Sequence, residues 1–212
     1  MKKIAMLVAL VLMLSLSLTG CVKVVEIGHE DELTGNVKFN AADDVEKMWT
    51  EKAVPELKEN AVPLDTFLKE AGTDLKSVAG KYGKYSMGDK GELSYIVKGE
   101  GTVKEVNQEK KAGYMLITPD GYDGQIAVKL QIGSVYKGSA VRDCLSFIKY
   151  EDYTNQVDWA KISQSIHDVV DKDVVQPANP AGLVGKKVAF TGCFTVDKLT
   201  EILITPVELE VK

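Results

Sequence analysis

The spacing of apolar positions changes character twice along the chain. Residues 4–18 form an almost unbroken hydrophobic run, preceded by Lys2 and Lys3 and followed by Thr19, Gly20 and Cys21. After a mixed stretch at 22–39, apolar residues return at helical intervals: Val45, Met48, Trp49 and Leu57. Asn40 stands where an N-cap belongs, and Asp43 and Asp44 occupy the first turn, where acids favour the helix dipole. Pro55 interrupts this helix, because it lacks the N–H an interior position must donate. Pro63 opens a second helical stretch on Leu64, Phe67, Leu68, Leu75 and Val78, divided at Gly72. Residues 80–91, glycines with lysine and tyrosine between them, read as a linker.

Beyond residue 93 the period shortens towards two. Tyr95, Val97, Val103 and Val106 predict a long strand bent at Gly99 and Gly101. Residues 114–118 and 125–132 predict two more strands, the last alternating through Ile126, Val128, Leu130 and Ile132. A helix follows over 155–170, with Trp159, Ile162 and Ile166 on one face, and two strands close the chain at 186–194 and 201–211. Three strands, a helix and two strands is the order of an OB-fold. The expectation is an α+β chain: an OB-fold-like five-stranded β-barrel with an inserted helix at 93–212, preceded by a helical segment and linker at 40–92.

The first run has 15 residues, whereas a membrane-spanning helix takes about 20. Its length, its basic start and its small-residue exit are those of an export signal. The Leu18-Thr19-Gly20-Cys21 junction resembles the lipobox of bacterial lipoproteins, in which the thiol is alkylated with diacylglycerol and the chain is cut before it. That resemblance implies a signal peptide at 1–20, a lipidated tether at 21–39, and attachment to a membrane through diacylglyceryl-Cys21. Two acyl chains meet the requirement for stable anchoring, which one chain alone does not. Removing residues 1–20 deletes Lys2 and Lys3 and no acid, so the net charge moves from −5 to −7. An acidic, exported chain is not suited to bind nucleic acid, whose phosphates need a basic surface.

Candidate chemistry is sparse. Of 26 basic residues only Arg142 is arginine, followed directly by Asp143. Its planar fork either pins the long 133–154 connection to an acid or grips an anionic or hydroxyl-rich ligand. Asn155, Gln156 and Trp159 place amides beside an indole: a helix cap with a core tryptophan, or a small-sugar site. Cys144 and Cys193 sit in apolar runs without metal-ligand spacing, as buried thiols or as a disulfide. His167 and His29 are solitary, and residues 120–124 lack the spaced oxygens of a calcium loop and read as a turn. No nucleophile has a base nearby in sequence, so the expectation is no enzyme, no metal and no cofactor.

Residues 131–135 (Gln-Ile-Gly-Ser-Val), 138–143 (Gly-Ser-Ala-Val-Arg-Asp) and 153–160 (Tyr-Thr-Asn-Gln-Val-Asp-Trp-Ala), with Gly185-Lys186-Lys187-Val188 and Ile204-Thr205-Pro206-Val207, resemble a family of uncharacterised bacterial predicted periplasmic lipoproteins. Arg142-Asp143 and Asn155-Gln156 match its most distinctive positions, while Cys144 stands where a small residue such as alanine is expected. The resemblance implies no catalytic residues. It implies a gene setting similar to that of sugar ABC-transport operons, hence an accessory to a transporter of that kind. Residues 183–192 also resemble the opening of a BRCT repeat, but too few residues follow to complete one.

Overall fold

The computed structural model describes residues 40–88, 90–153 and 155–212. The export signal, Cys21, the tether and His29 lie outside the described residues. Helix α1 (Ala41–Met48) begins at Asn40, whose side chain accepts from the Asp43 amide at 3.5 Å. A wide π turn (Trp49–Ala53) leads without a break into α2 (Val54–Asn60), and Pro55, which has no N–H to donate, sits just past that turn. The predicted interruption thus takes the form of a π turn rather than a gap. A two-residue strand β1 (Val62–Pro63) precedes α3 (Leu64–Ala71), which stops at Gly72 with φ +58°, a conformation glycine adopts without steric cost.

The segment expected to be a linker is structured. It forms the short helix α4 (Ala79–Tyr82) and strand β2 (Lys84–Met87), which pairs antiparallel with the start of β3 (Lys90–Asn107). Its glycine and lysine content hides the strand, because pairing with β3 supplies the stability that local sequence does not.

Strands β4 (Tyr114–Pro119), β5 (Ala127–Gln131), β6 (Lys187–Thr195) and β7 (Glu201–Val211) complete a closed ring: β3 pairs with β4, β4 with β5, β5 with β7, β7 with β6, and β6 returns to β3. All of these pairs are antiparallel except β5–β7, where residues 127–130 lie parallel to 201–204. Taking β3 as the first ring strand, this is the OB-fold order. The parallel pair requires the chain to cross back between β5 and β7, and β6, antiparallel to β7, makes that return. The connection from β5 to β6 carries α5 (Ala140–Cys144) and α6 (Gln156–Val170).

Gly101 is where one strand serves two neighbours. It pairs with Pro119 of β4 and with Val188 of β6. A β-carbon there would fall 2.5 Å from the Thr118 carbonyl oxygen and 2.6 Å from Ile117 Cγ2, so the close approach of β3 and β4 at the ring's corner needs glycine.

Residues 93–97 of β3 (Leu93, Ser94, Tyr95, Ile96 and Val97) are buried on both faces. One face meets α3, where Phe67 packs edge to face on Tyr95 and Phe194, which tilt against each other, with centroids 4.8–5.6 Å apart. The Tyr95 hydroxyl donates to the Leu75 carbonyl at 2.5 Å, and burial pushes its pKa up to about 12. The N-terminal helices therefore pack on the ring, and α1 also packs on α6. Residues 40–212 form one compact unit.

Candidate functional site

Helix α5 is only five residues long, and every one of its side chains is buried. It presents Arg142 and Asp143 to the start of α6. The Arg142 Nε and Nη2 groups donate to Asp143 Oδ1 at 2.9 and 2.7 Å, and Nη1 donates to the Trp159 carbonyl at 3.0 Å. The guanidinium carbon also lies 3.9 Å from the Trp159 ring centroid, a cation–π contact on the indole face. Lysine could supply the charge and three donors, but not from a planar fork that reaches both acceptors while stacking on the indole. That is the physical reason for a single arginine among lysines.

Asp143 is the costly member. Its side chain is fully buried, and Oδ2 has no hydrogen-bond partner. Loss of hydration raises the carboxyl above its usual range, against the opposing pull of Arg142, and Glu92 pushes in the same direction as burial. The pair is a buried clamp between α5 and α6.

Asn155 is the N-cap of α6. Its Oδ1 accepts from the Asp158 amide at 2.9 Å and its Nδ2 donates to Asp158 Oδ2 at 3.0 Å. Both ends of the side-chain amide are thus used on the helix. Asn155→Ala should lower stability by about 1 kcal/mol, the usual worth of such a cap, as a shift in urea midpoint with unchanged slope.

Three of the five predicted site residues do meet. Arg142, Gln156 and Trp159 line an open concavity of about 390 Å³, together with Tyr150, Met87 and Glu92. Gln156 is exposed on its rim. Asp143 lies behind Arg142, and Asn155 is not part of the wall. Trp159 offers little stacking surface: it is 8% exposed, Arg142 covers one face, and Tyr150 and Tyr153 pack at 5.7 and 5.2 Å.

A larger cleft of about 550 Å³ adjoins it at Gly91 and Glu92. Lys76, Lys137 and Lys198 share its walls with Glu92, Asp197 and Glu201. Its residues come from five separate stretches of chain, so no local pattern announces it.

His167 lies buried against Tyr136, the rings stacked 5.2 Å apart. Burial first, and the positive charge of Arg142 second, lower its pKa to about 4, with Asp168 pulling the other way. Tyr136 in turn donates to Asp171 Oδ1 at 3.3 Å. Residues 120–124 form the β4–β5 turn, and Lys187 bridges Asp120 and Glu100 at 2.8 and 3.0 Å. Residues 187–192, in the stretch resembling a BRCT repeat, are part of ring strand β6. Among the described residues, no three His, Cys, Asp or Glu side chains are grouped as a metal site would need.

The family described as "Predicted periplasmic lipoprotein (DUF2291)" matches residues 9–210, nearly the whole chain. The chain belongs to this family. No curated protein matches it. Among solved structures it is similar to an OB-fold protein of Thermotoga maritima, with a TM-score of 0.63 and 18% identity over 82% of this chain and 99% of that one. At that identity the likeness establishes the OB-type fold and nothing about activity. The periplasmic lipoprotein family agrees with the export signal and cysteine junction read from the N-terminus. No described helix is long and apolar enough to cross a membrane.

Proposed function

We propose that this family member is a lipid-anchored, non-catalytic envelope protein that acts as a binding or assembly accessory, held at the membrane through diacylglyceryl-Cys21. The observation that carries the reading is how its candidate chemistry is used. Arg142 directs its donors to Asp143 and to the Trp159 carbonyl, Asn155 uses its amide on Asp158 of its own helix, and Trp159 is enclosed by Arg142, Tyr150 and Tyr153. These groups build a scaffold rather than a reaction centre. The partner in this proposal is a membrane component of a solute transporter of the sugar ABC class, and the protein presents its ring domain beside it.

Two measurements test the reading. Cys21→Ser in the full chain should move the protein from the membrane fraction to the soluble one; an unchanged membrane fraction overturns the lipid anchor. Wild-type protein extracted from membranes should bring down a transporter permease. It should also show a flat melting temperature across a sugar panel. Stabilisation by one sugar, about 2.7 kcal/mol at a hundredfold excess over Kd, would replace the accessory role with direct recognition at the Gln156–Trp159 concavity.

A further inference from the structure

Once Cys21 is assigned to lipid, Cys144 and Cys193 are the two cysteines left. Both are buried and unbonded, 2% and 0% exposed. The connection after β5 brings them together. Gln131 Nε2 donates to Thr205 Oγ1 at 2.8 Å, and Thr205 is the β7 residue paired with Cys193. A β-carbon at Gly138 would sit 3.7 Å from Thr195 Oγ1, at the end of the same β6 strand. Helix α5 then packs on β6 and β3. Cys193, opposite Ile96, alternates with Phe194 and so leaves the aromatic cluster for the other face of the sheet. There Cys144, on the helix packed against β6, lies close enough to Cys193 for the two buried thiols to interact.

We propose that Cys144 and Cys193 form a disulfide in the exported protein, tying α5, and with it the Arg142–Trp159 clamp, to ring strand β6. The proposal rests on export, which oxidises paired thiols, and not on the anchor or the accessory role. The co-reactant is a protein disulfide of the envelope. One cysteine thiolate attacks a sulfur of that disulfide and expels a thiolate; the second then attacks the mixed disulfide and expels the other. The oxidant's S–S bond and two cysteine S–H bonds are replaced by the Cys144–Cys193 bond and two S–H bonds on the reduced oxidant. Both thiols are buried in the folded protein, out of reach of a protein oxidant, so exchange takes place during folding, before α5 is seated.

The test uses the full chain expressed with its signal. Protein from the envelope fraction is unfolded and alkylated without reductant, and its peptides are mapped. The expected result is a Cys144 peptide covalently joined to a Cys193 peptide, released by reductant. Exported protein in which both cysteines alkylate freely overturns the proposal. If none is exported, protein made without residues 1–20 is refolded from the reduced state with oxidised glutathione. The joined peptides should then form, with a melting temperature roughly 5–10 °C above the reduced form; failure to form them also overturns it. Cys193→Ala should abolish the joined peptide while leaving a folded protein.

Discussion

Arg142→Met should destabilise the protein by about 3–5 kcal/mol, because it removes one partner from a buried ion pair and leaves the other charge without compensation. The loss is specific to three contacts: two N–H bonds to Asp143 Oδ1 and one to the Trp159 carbonyl, with the indole face exposed to the vacated space. Arg142→Lys should fall between wild type and Arg142→Met, since an ammonium keeps the charge but cannot reach both acceptors while stacking. The double change Arg142→Met with Asp143→Leu should recover most of the loss, because no buried carboxylate then lacks a partner, and apolar pairs of similar volume often replace buried ion pairs without penalty. Guanidinium unfolding of the four proteins measures this. A single Arg142→Met within about 1 kcal/mol of wild type would show that the pair is not the clamp between α5 and α6. The double variant gives the sharper distinction. If Arg142 served a ligand rather than the fold, Arg142→Met would leave stability alone and pairing it with Asp143→Leu would rescue nothing.

The ring was legible because its strands carry their own signals. Ile126, Val128 and Leu130 alternate, and Pro119-Asp120-Gly121 marks a turn. The order of three strands, helix and two strands then predicts the OB arrangement, and the β5–β7 parallel pair closes it. What was not legible depends on distant partners. Helix α5 has no side-chain cap at Ser139, is too short for a hydrophobic face, and is buried all round because β2, β3 and β6 surround it. Strand β2 exists through its pairing with β3 and looks like a linker in isolation. The site divides the same way. The lone arginine and the Asn155 cap could be read locally, whereas Met87 and Glu92 join the concavity lined by Trp159 only because β2 and β3 pack against α5. The sequence left Asn155 open between a helix cap and a sugar-site residue, and in the structure both ends of its amide serve the cap.

Stability should fall by roughly 3 kcal/mol between pH 6.5 and pH 4 through His167 alone. The imidazole is buried against Tyr136, and its folded pKa is lowered from 6.5 to about 4. In that window the unfolded chain binds a proton that the folded chain refuses, so each unit of acidification costs the folded state up to about 1.4 kcal/mol. Above about 6.5 the ring is neutral in both states, and below about 4 it is charged in both, so the slope from this group vanishes outside the window. Asp65, Glu70, Glu201 and Glu210 are held below their usual values first by hydrogen bonds from lysines, so their contributions are lost only at lower pH. Asp143 works in the opposite sense. Its raised carboxyl takes up a proton in the folded state first, which offsets part of the acid loss as pH falls. His167→Phe isolates the histidine: it keeps an aromatic ring against Tyr136 and cannot take a proton. The difference in unfolding free energy between the two proteins should therefore widen in favour of the variant as pH drops from 6.5 towards 4. His29 and the carboxylates are common to both and cancel. Parallel stability curves over that range would mean that His167 is protonated in the folded state, and that its stacking against Tyr136 does not exclude the charge.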